Sequence, residues 1–393
     1  MRLIAFASPP MNGPQILIVD DNIVNVKVAT AALEGVTTNI LSANSGERAL
    51  TILDRVRPDL ILMDVNMPGM NGYETVRRIK AKSEIADIPV IFLTAQDDVG
   101  AKVEGFEAGG VDYVVKPFQH AEIVARVQTH VKVHTLTREL AKERESVMDS
   151  IRYARRIQRA MLPKVEQIQA RIPQSFVLYR PKSVVSGDFF CFFDRDPWAI
   201  LVLCDCTGHG VPGALMSVVG MSSLAKIVEE REVYDPATIL DELDADVRKL
   251  LNQEDDGGND GMDAVALAVQ PARKLLYYSA AMRPFYRVRN GETTEFKAQK
   301  MPIGGTLYGE KHFSGSSVPI EAGDTFYLAS DGFADQFGGE ERKKYMGKSF
   351  ATLLAQIAEL PIEAQADALN EELDQWRGEL PLTDDVTVIG FRF

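Results

Sequence analysis

The stretch LVLCDCTGHGVPGAL, residues 201–215, carries two cysteines on either side of an aspartate, with a histidine shortly after them. These residue types suggest a zinc site, a redox pair, a thiol phosphatase loop, or a site built on Asp205. A thiol phosphatase loop is excluded because the stretch has no arginine to bind phosphate. A zinc site would need a second ligand pair, yet all three cysteines lie within 191–206. A redox pair stays open, but thiols on an apolar strand are more often buried, which leaves Asp205 as the main candidate.

The setting of Asp205 recurs along the last part of the chain. AILVLC, residues 199–204, reads as a strand that ends at Asp205, and a glycine-rich turn follows it. Similar acids beside apolar runs are Asp188 in VVSGDFF, Asp263 in GMDAVALAV, Asp331 and Asp335 in SDGFADQ, and Asp384 and Asp385 in LTDDVTV. Oxygen ligands that converge need a hard cation, for which Mg²⁺ or Mn²⁺ is the chemical match. Two such ions about 3.5–4 Å apart would activate water and hold a phosphoryl group.

Length and composition limit the classes of protein. A chain of 393 residues is expected to form two domains, and 46% apolar with 25% charged residues is an ordinary globular balance. The net charge of −13 argues against a nucleic-acid partner. Three clustered cysteines cannot form a disulfide framework, which suits a reducing cytosol.

The sequence predicts a cytoplasmic protein with no membrane partner, since no apolar run approaches the roughly 18 to 20 residues of a membrane span. The opening MRLIAFASPP is too short for a signal peptide and is expected to be a disordered leader. Translation could begin at Met1 or at Met11.

The first third alternates strand-like and helix-like patterns. The strand-like runs are ILIVD (16–20), LILMD (60–64), PVIFLTA (89–95) and VDYVVKPF (111–118), with helical patterns near 28–33 and 73–80 between them. This alternation predicts a doubly wound, five-stranded parallel sheet with helices on both faces. In such a sheet the reactive edge lies at the carboxyl ends of the strands. The acids and polar residues at those ends are Asp20, Asp21, Asp64, Thr94 and Lys116.

The motifs VDDN, LILMDVNMPGMNGYE, FLTA and YVVKPF resemble the receiver domain of two-component response regulators, over about residues 14–130. The resemblance implies that Asp64 accepts a phosphoryl group from a histidine kinase or phosphotransfer protein. It also implies an Mg²⁺ ion held by Asp20, Asp21, Asp64 and the carbonyl of Asn66. Thr94 and Lys116 would contact the phosphoryl oxygens, and Tyr113 would be the switch aromatic.

A helical pattern, residues 131–162, connects this region to the rest. Heptad a/d spacing carries Val133, Leu136, Leu140, Val147, Ala154, Ile157 and Met161, with interruptions at Glu143 and Ser150, and Pro163 ends the run. Charged residues fill the outer positions. Two interpretations stay open: a parallel coiled coil that makes a homodimer, or a single amphipathic helix lying on one of the domains.

The motifs VSGDFF, DCTGHGVPGA, GMDA, SDGFADQ and DDVTV resemble the metal-dependent PPM (protein phosphatase 2C-like) serine/threonine phosphatases. The bacterial branch with the stage II sporulation E protein is the nearest, since YARRIQRAMLP and MPIGG also match it. The resemblance covers about residues 150–393, with a domain boundary at 163, and implies two β-sheets between layers of helices.

The same resemblance implies a role for each acid. Asp188 and Asp205 would hold one metal with the carbonyl of Cys206, and Asp205 would bridge to a second metal held by Asp331 and Asp384. Asp263 and Asp335 would be candidates for a third metal, and Asp385 would support the others. His209 is a doubtful general acid because it lies farther from Asp205 than the histidine of the eukaryotic enzymes does. Lys182 is the nearest cation upstream of Asp188, where a phosphate-binding arginine is expected.

Two functions follow from different classes. The first is a receiver-controlled phosphatase that hydrolyses phosphoserine or phosphothreonine on a protein, and the branch implies a phosphorylated anti-sigma-factor antagonist as substrate. The second is a non-catalytic adaptor that binds a regulatory partner through a phosphatase-like domain. Loss of the metal-binding acids would favour the adaptor, and this sequence keeps all four of them: Asp188, Asp205, Asp331 and Asp384.

Overall fold

The computed structural model describes residues 13–95, 99–117 and 119–393. The chain forms two compact units, which divide between Ser146 and Val147. The expected leader with its two candidate start residues, Met1 and Met11, lies outside the described residues, as does Phe118 at the end of the fifth strand motif.

The N-terminal unit is built on a parallel sheet with the strand order β2-β1-β3-β4-β5. Its strands are β1 (Ile16–Val19), β2 (Ile40–Ala43), β3 (Leu60–Asp64), β4 (Val90–Thr94) and β5 (Asp112–Val115). Its helices are α1 (Ile23–Leu33), α2 (Gly46–Leu53), α3 (Gly72–Lys80), α4 (Val99–Glu107) and the first part of α5 (His120–Met161). Asn22, Ser45 and Asn71 each accept a backbone N–H at the start of a helix, which explains where α1, α2 and α3 begin.

Both faces of this sheet are covered by helices. Successive residues of a strand point to opposite faces, so Leu17 packs in a core with α2 and α3, while Ile18 packs in a second core with α1 and α5. The doubly wound parallel sheet that the sequence predicts is therefore confirmed.

Helix α5 is 42 residues long and runs without a break past the predicted boundary at 130/131. Its first turns are buried, with Ile123 and Val127 in the core of the N-terminal unit. The apolar residues beyond them are exposed, by between 37% and 67%, at Val133, Leu136, Leu140, Val147, Ile157 and Met161. The predicted apolar stripe is thus present on the helix surface and is not covered by the described part of the chain.

The C-terminal unit contains two antiparallel sheets and a short hairpin. The first has the order β14-β10-β9-β8-β7 with β13 beside β9, and the second has the order β12-β11-β15-β18-β6. The strands are β6 (Ser175–Arg180), β7 (Asp188–Arg195), β8 (Trp198–Cys206), β9 (Gly261–Gln270), β10 (Leu275–Ala281), β11 (Phe285–Arg289), β12 (Glu292–Phe296), β13 (Ile303–Gly304), β14 (Ser316–Pro319), β15 (Thr325–Ala329), β16 (Phe337–Gly338), β17 (Lys343–Lys344) and β18 (Val386–Arg392). The helices are α6 (Val165–Arg171), α7 (Val211–Ala225), which continues as a π-helical turn (Lys226–Glu230), α8 (Pro236–Leu250), α9 (Gln253–Asp256), α10 (Gly332–Asp335), α11 (Gly347–Ile357) and α12 (Ile362–Arg377), with a 3₁₀ turn at Pro271–Arg273.

The two sheets pack face to face between layers of helices. Leu201 of β8 and Phe326 of β15 belong to the core between the sheets. Ile200, on the other face of β8, packs with α7 and α8, while Tyr327 of β15 packs with α11 and α12. Alternation along single strands therefore produces the four layers, and the predicted sandwich of two sheets between helices is confirmed.

One helical stretch corrects an expectation from the sequence. Residues 211–230 form 20 continuous helical residues, and an 18-residue window within them has a mean hydropathy of 1.5, so the helix is long and apolar enough to span a membrane. More than half of the apolar window, 56%, is buried inside the unit. The helix packs against β7 and β8. A helix buried in a protein core needs apolar residues as much as a membrane helix does, which explains its high hydropathy.

Candidate functional site

Acids gather at the carboxyl edge of the N-terminal sheet. Asp20 follows β1, and Asp64 is the last residue of β3, so parallel strands bring them to one edge. Each of Asp20, Asp21 and Asp64 offers a carboxylate oxygen within 4.8 Å of the others. The ammonium of Lys116 lies 2.6 Å from Oδ2 of Asp20 and 2.9 Å from Oδ1 of Asp64. This cluster can hold a hard divalent cation while the lysine contacts it from one side.

The environment of Asp64 suits a phosphoryl acceptor. Burial raises the pKa of the Asp64 carboxyl, and the hydrogen bond from Lys116 acts against that increase. The backbone N–H of Asn66 also donates to Asp64. Thr94 is buried at the end of β4, and its carbonyl accepts the N–H of Lys116 at 2.7 Å. Tyr113 lies on the neighbouring β5, half-buried, with its ring edge against Phe106.

A second group of acids lies across three adjacent strands of the C-terminal unit. In the antiparallel ladder Asp188 of β7 is directly opposite Asp205 of β8, and Asp205 is directly opposite Asp263 of β9. Side chains of directly opposed residues lie on the same face of a sheet. The register therefore sets three carboxylates in a row across the end of the sheet.

The second sheet meets this row at Asp188. Thr387 of β18 donates from Oγ1 to Oδ2 of Asp188 at 2.7 Å, and the hydroxyl of Ser330, just after β15, also bonds to Asp188. Burial and the charge of Asp205 raise the pKa of Asp188 well above its usual range. Asp331 follows Ser330 directly and thus lies at the same end of the sandwich.

The loop before Asp188 is held by a buried carboxylate. Asp385, immediately before β18, accepts the backbone N–H groups of Lys182 and Gly187, both at 2.7 Å. A side chain at Gly187 would not fit, because its β-carbon would lie 2.8 Å from the carbonyl oxygen of Gly208. Asp385 thus shapes the loop, while its half-buried neighbour Asp384 lies close enough to raise the pKa of Asp205.

Arg283, which sequence reasoning missed, lies at the centre of the acids. Its Nε is 2.9 Å from Oδ2 of Asp263, and its Nη2 is 2.5 Å from Oδ2 of Asp331 and 3.4 Å from Oδ2 of Asp205. Burial and the charge of Asp331 raise the pKa of Asp205 to about 7, and Arg283 acts in the opposite direction. A single arginine between β10 and β11 carries no local sequence signal that could have identified it.

The remaining residues named from the sequence have different partners or settings. Asp335 is paired with Lys344 at 2.7 Å, whereas Asp263 is paired with Arg283. His209 is exposed in the turn after β8. Lys182 contributes its backbone N–H to Asp385.

Cys191 and the two cysteines of the opening stretch, Cys204 and Cys206, are buried and free. Burial raises the pKa of the Cys191 thiol to about 12, and it raises the pKa values of Cys204 and Cys206 well above their usual range. All three pack in the core against α7 and α8. Neutral, buried thiols are poor nucleophiles and poor metal ligands, so packing is their role here.

A second residue that sequence reasoning missed is Gln158, near the end of α5. Its Nε2 donates to the carbonyl of Ser186 at 2.6 Å and to Oγ of Ser217 at 2.7 Å, while its Oε1 accepts the N–H of Ser186. The side chain is 3% exposed. Helix α5 is therefore hydrogen-bonded to the loop that carries Asp188, although Gln158 stands among charged residues that suggest a surface position.

The donor set of the C-terminal cluster fits divalent cations. Asp205 Oδ2 is buried and accepts no hydrogen bond from any described residue, since Arg283 lies at ion-pair distance only. An unsatisfied carboxylate oxygen among other carboxylates is a site for a hard cation. Among the described residues, only the N-terminal cluster has three acids with ligand atoms within 4.8 Å, whereas three acids of the C-terminal cluster are in contact with the guanidinium of Arg283.

Family models match both units. The response regulator receiver domain matches residues 16–128, and Stage II sporulation protein E (SpoIIE) matches residues 196–393. A solved structure, the SiaA-PP2C domain of Pseudomonas aeruginosa, is 35% identical with a TM-score of 0.59, covering 64% of this chain and 99% of that one.

Curated relatives match the N-terminal unit. The probable transcriptional regulator ycf27 of Cyanophora paradoxa is 39% identical over 119 residues, which is 30% of this chain and 48% of the relative. The phosphate regulon transcriptional regulatory protein PhoB of Pseudomonas aeruginosa is 40% identical over 118 residues, 30% of this chain and 52% of the relative. The chain spans about half the length of these curated relatives.

Proposed function

Because this chain belongs to the Stage II sporulation protein E (SpoIIE) family and carries a response regulator receiver domain, we propose that it is a response regulator with a metal-dependent protein serine/threonine phosphatase as its output. The observation that carries the proposal is the register that aligns Asp188, Asp205 and Asp263 across three adjacent strands. Asp188 is buried, and Asp205 and Asp263 are half-buried. Carboxylates that repel one another in such a setting are costly unless they bind cations, so their presence favours a catalytic domain over an adaptor.

Two metal ions would be held by the acids of this edge. Asp188 and Asp205 would hold one ion with the carbonyl of Cys206, and Asp331 and Asp384 would complete a second ion with Asp205. When bound, Mg²⁺ or Mn²⁺ would act as a Lewis acid that activates water and neutralises charge on a phosphoryl group. Asp263 and Asp335 stay candidates for a third ion, which would require them to leave Arg283 and Lys344.

The residues around the acids would keep this edge in shape. Thr387 fixes the orientation of the Asp188 carboxylate by its hydrogen bond of 2.7 Å. Asp385 fixes the loop before Asp188 through two backbone N–H groups. These hydrogen bonds would hold the metal-ligating carboxylates close to the geometry that phosphoryl transfer needs.

The substrate class is a phosphoprotein. Likeness to the SpoIIE branch supports phosphoserine or phosphothreonine on an anti-sigma-factor antagonist, in a partner-switching pathway in the cytoplasm. The receiver would take its phosphoryl group on Asp64 from a histidine kinase or phosphotransfer protein, with Mg²⁺ held by Asp20, Asp21, Asp64 and Asn66. Thr94, Tyr113 and Lys116 would respond to it.

Helix α5 would carry the signal. It begins in the core of the N-terminal unit, and its Gln158 bonds to the loop that precedes Asp188. The exposed apolar stripe between Val133 and Met161 supports a parallel homodimer through this helix, because an uncovered stripe at heptad spacing needs a partner. A change in pairing of the two helices would reach the loop through Gln158.

Replacing one acid tests the catalytic proposal. The purified protein with Mn²⁺ is expected to hydrolyse a phosphoserine peptide, and Asp205→Asn is expected to lower kcat/KM by at least about 10³-fold, since that carboxylate would contact both ions. Asp367→Asn, on the exposed face of α12, is the matched control and should retain full activity. Release of inorganic phosphate measures both.

Two outcomes would overturn this proposal. Full activity of a folded Asp205→Asn protein would reject the metal assignment. A wild-type protein that binds Mn²⁺ and a regulatory partner but releases no phosphate, with or without an acyl phosphate donor, would favour the adaptor function.

A further inference from the structure

The backbone around Arg283 is firmly held. Met282, which has a positive φ of 65°, donates its N–H to the carbonyl of Gln299 at 2.7 Å, and the N–H of Arg283 bonds to the carbonyl of Ala281 at 2.8 Å. These bonds fix where the arginine side chain leaves the β10–β11 turn. The ion pairs with Asp205, Asp263 and Asp331 then determine where the guanidinium lies.

The contacts of the guanidinium combine strong attraction with incomplete hydrogen bonding. Arg283 faces Asp205, Asp263 and Asp331, which come from three separate segments. Its Nε and the Oδ2 of Asp205 nevertheless have no well-aligned hydrogen bond, although both are buried. A cation that neutralises a cluster while leaving buried polar atoms unsatisfied is held by charge more than by geometry, so another cation can replace it.

We propose that Arg283 is a displaceable internal counter-cation, which neutralises the acid cluster and must leave Asp205 and Asp331 when divalent metal ions bind. The inference rests on the metal site of the proposed function and adds a residue that competes for it. The arginine would thereby set the metal affinity of the cluster. The guanidinium keeps the acids together, and each ion pair that the metal breaks reduces the net free energy of metal binding.

Metal titration of substituted proteins tests this role without measuring catalysis. Asp20→Asn and Asp64→Asn are introduced into every sample, so that Mn²⁺ binding reports only the C-terminal cluster. Chelator-treated proteins are then titrated with Mn²⁺ by calorimetry, and the Mn²⁺-induced rise in melting temperature is recorded alongside. Arg289→Gln is the matched control, because Arg289 of the neighbouring β11 pairs with Asp324 and Glu321 instead.

Arg283→Gln is expected to bind Mn²⁺ at least about tenfold more tightly than the wild type. The substitution removes a positive charge that competes with Mn²⁺ for the same carboxylates at ion-pair distance. Its Mn²⁺-induced rise in melting temperature should exceed that of the wild type, while Arg289→Gln should match the wild type. A folded Arg283→Gln protein with equal or weaker Mn²⁺ affinity would overturn the proposal.

Arg283→Lys keeps the test decisive if the glutamine variant does not fold. Lysine retains the charge but lacks the planar fork that contacts several carboxylates at once. It should therefore bind Mn²⁺ more tightly than the wild type, by a smaller factor than tenfold, and an unchanged affinity would reject the proposal. If affinity rises as expected but the wild type hydrolyses no phosphoester, the proposed function fails while this inference stands.

Discussion

The two acid clusters of the molecule have similar composition and different construction. In the N-terminal cluster Lys116 contacts Asp20 and Asp64, and the carboxylates still approach within 4.8 Å of one another. In the C-terminal cluster Arg283 lies between its acids and contacts three of them. A point-like ammonium can stand beside a group of carboxylates, whereas a forked guanidinium joins carboxylates that stand apart.

This difference indicates how each cluster would bind a cation. The N-terminal acids offer oxygens already close together, with Asp21 exposed at the mouth, so an ion can bind while Lys116 stays in place. The C-terminal acids can close around an ion only after the guanidinium moves. The first site is therefore expected to respond to phosphorylation and the second to metal concentration.

The largest effect among the substitutions that test this difference between the two clusters is expected at Asp64. Asp64→Asn replaces the carboxylate proposed to accept the phosphoryl group with an amide that is not nucleophilic, so incorporation of phosphate from an acyl phosphate donor should fall to background, as measured by intact-protein mass spectrometry. The ratio of phosphatase activity with and without the donor should fall to one. Asp54→Asn, which alters an exposed acid paired with Lys82, should behave as the wild type. If hydrolysis by Asp64→Asn still responds to the donor, coupling through this residue is wrong.

A smaller effect is expected at Lys116, and it sharpens the comparison with Arg283. Lys116→Gln should tighten Mg²⁺ binding to the N-terminal cluster by about two- to threefold, because it relieves repulsion without removing a competitor from between the acids. Calorimetry in an Asp205→Asn background isolates this site, and Lys82→Gln is the control. A gain as large as that expected for Arg283→Gln would mean that both cations act in the same way.

The N-terminal cluster could be predicted from the sequence because one rule gathers it. Strands of a parallel sheet end at a common edge, so Asp20, Asp64 and Lys116 had to meet once the alternating pattern was recognised. Each acid also lies next to the apolar run that places it. Local patterns thus contained both the fold and the cluster.

The C-terminal cluster could be predicted only in its acids. The strand runs identified Asp188, Asp205 and Asp331 one by one, but strand register and the packing of two sheets are long-range properties. Arg283 and Gln158 act through partners far along the chain, and neither has a local pattern that separates it from a surface residue. The apolar character of residues 211–230 is also hard to recognise from the sequence. Serines and glycines interrupt the apolar residues there, although the helix is largely buried.

The smallest effect is expected where the sequence first draws attention, at Cys206. Its thiol is buried and neutral in the core beside α7, while only its backbone carbonyl is proposed to face the metal edge. Cys206→Ser should keep kcat/KM within about twofold, at a loss of about 1–2 kcal/mol in the free energy of unfolding, because a hydroxyl replaces the thiol in an apolar core. Phosphate release at saturating Mn²⁺ and urea unfolding measure the two quantities. A folded Cys206→Ser protein without activity would show that the sulfur takes part in the reaction, and the assignment of this stretch to Asp205 alone would then be wrong.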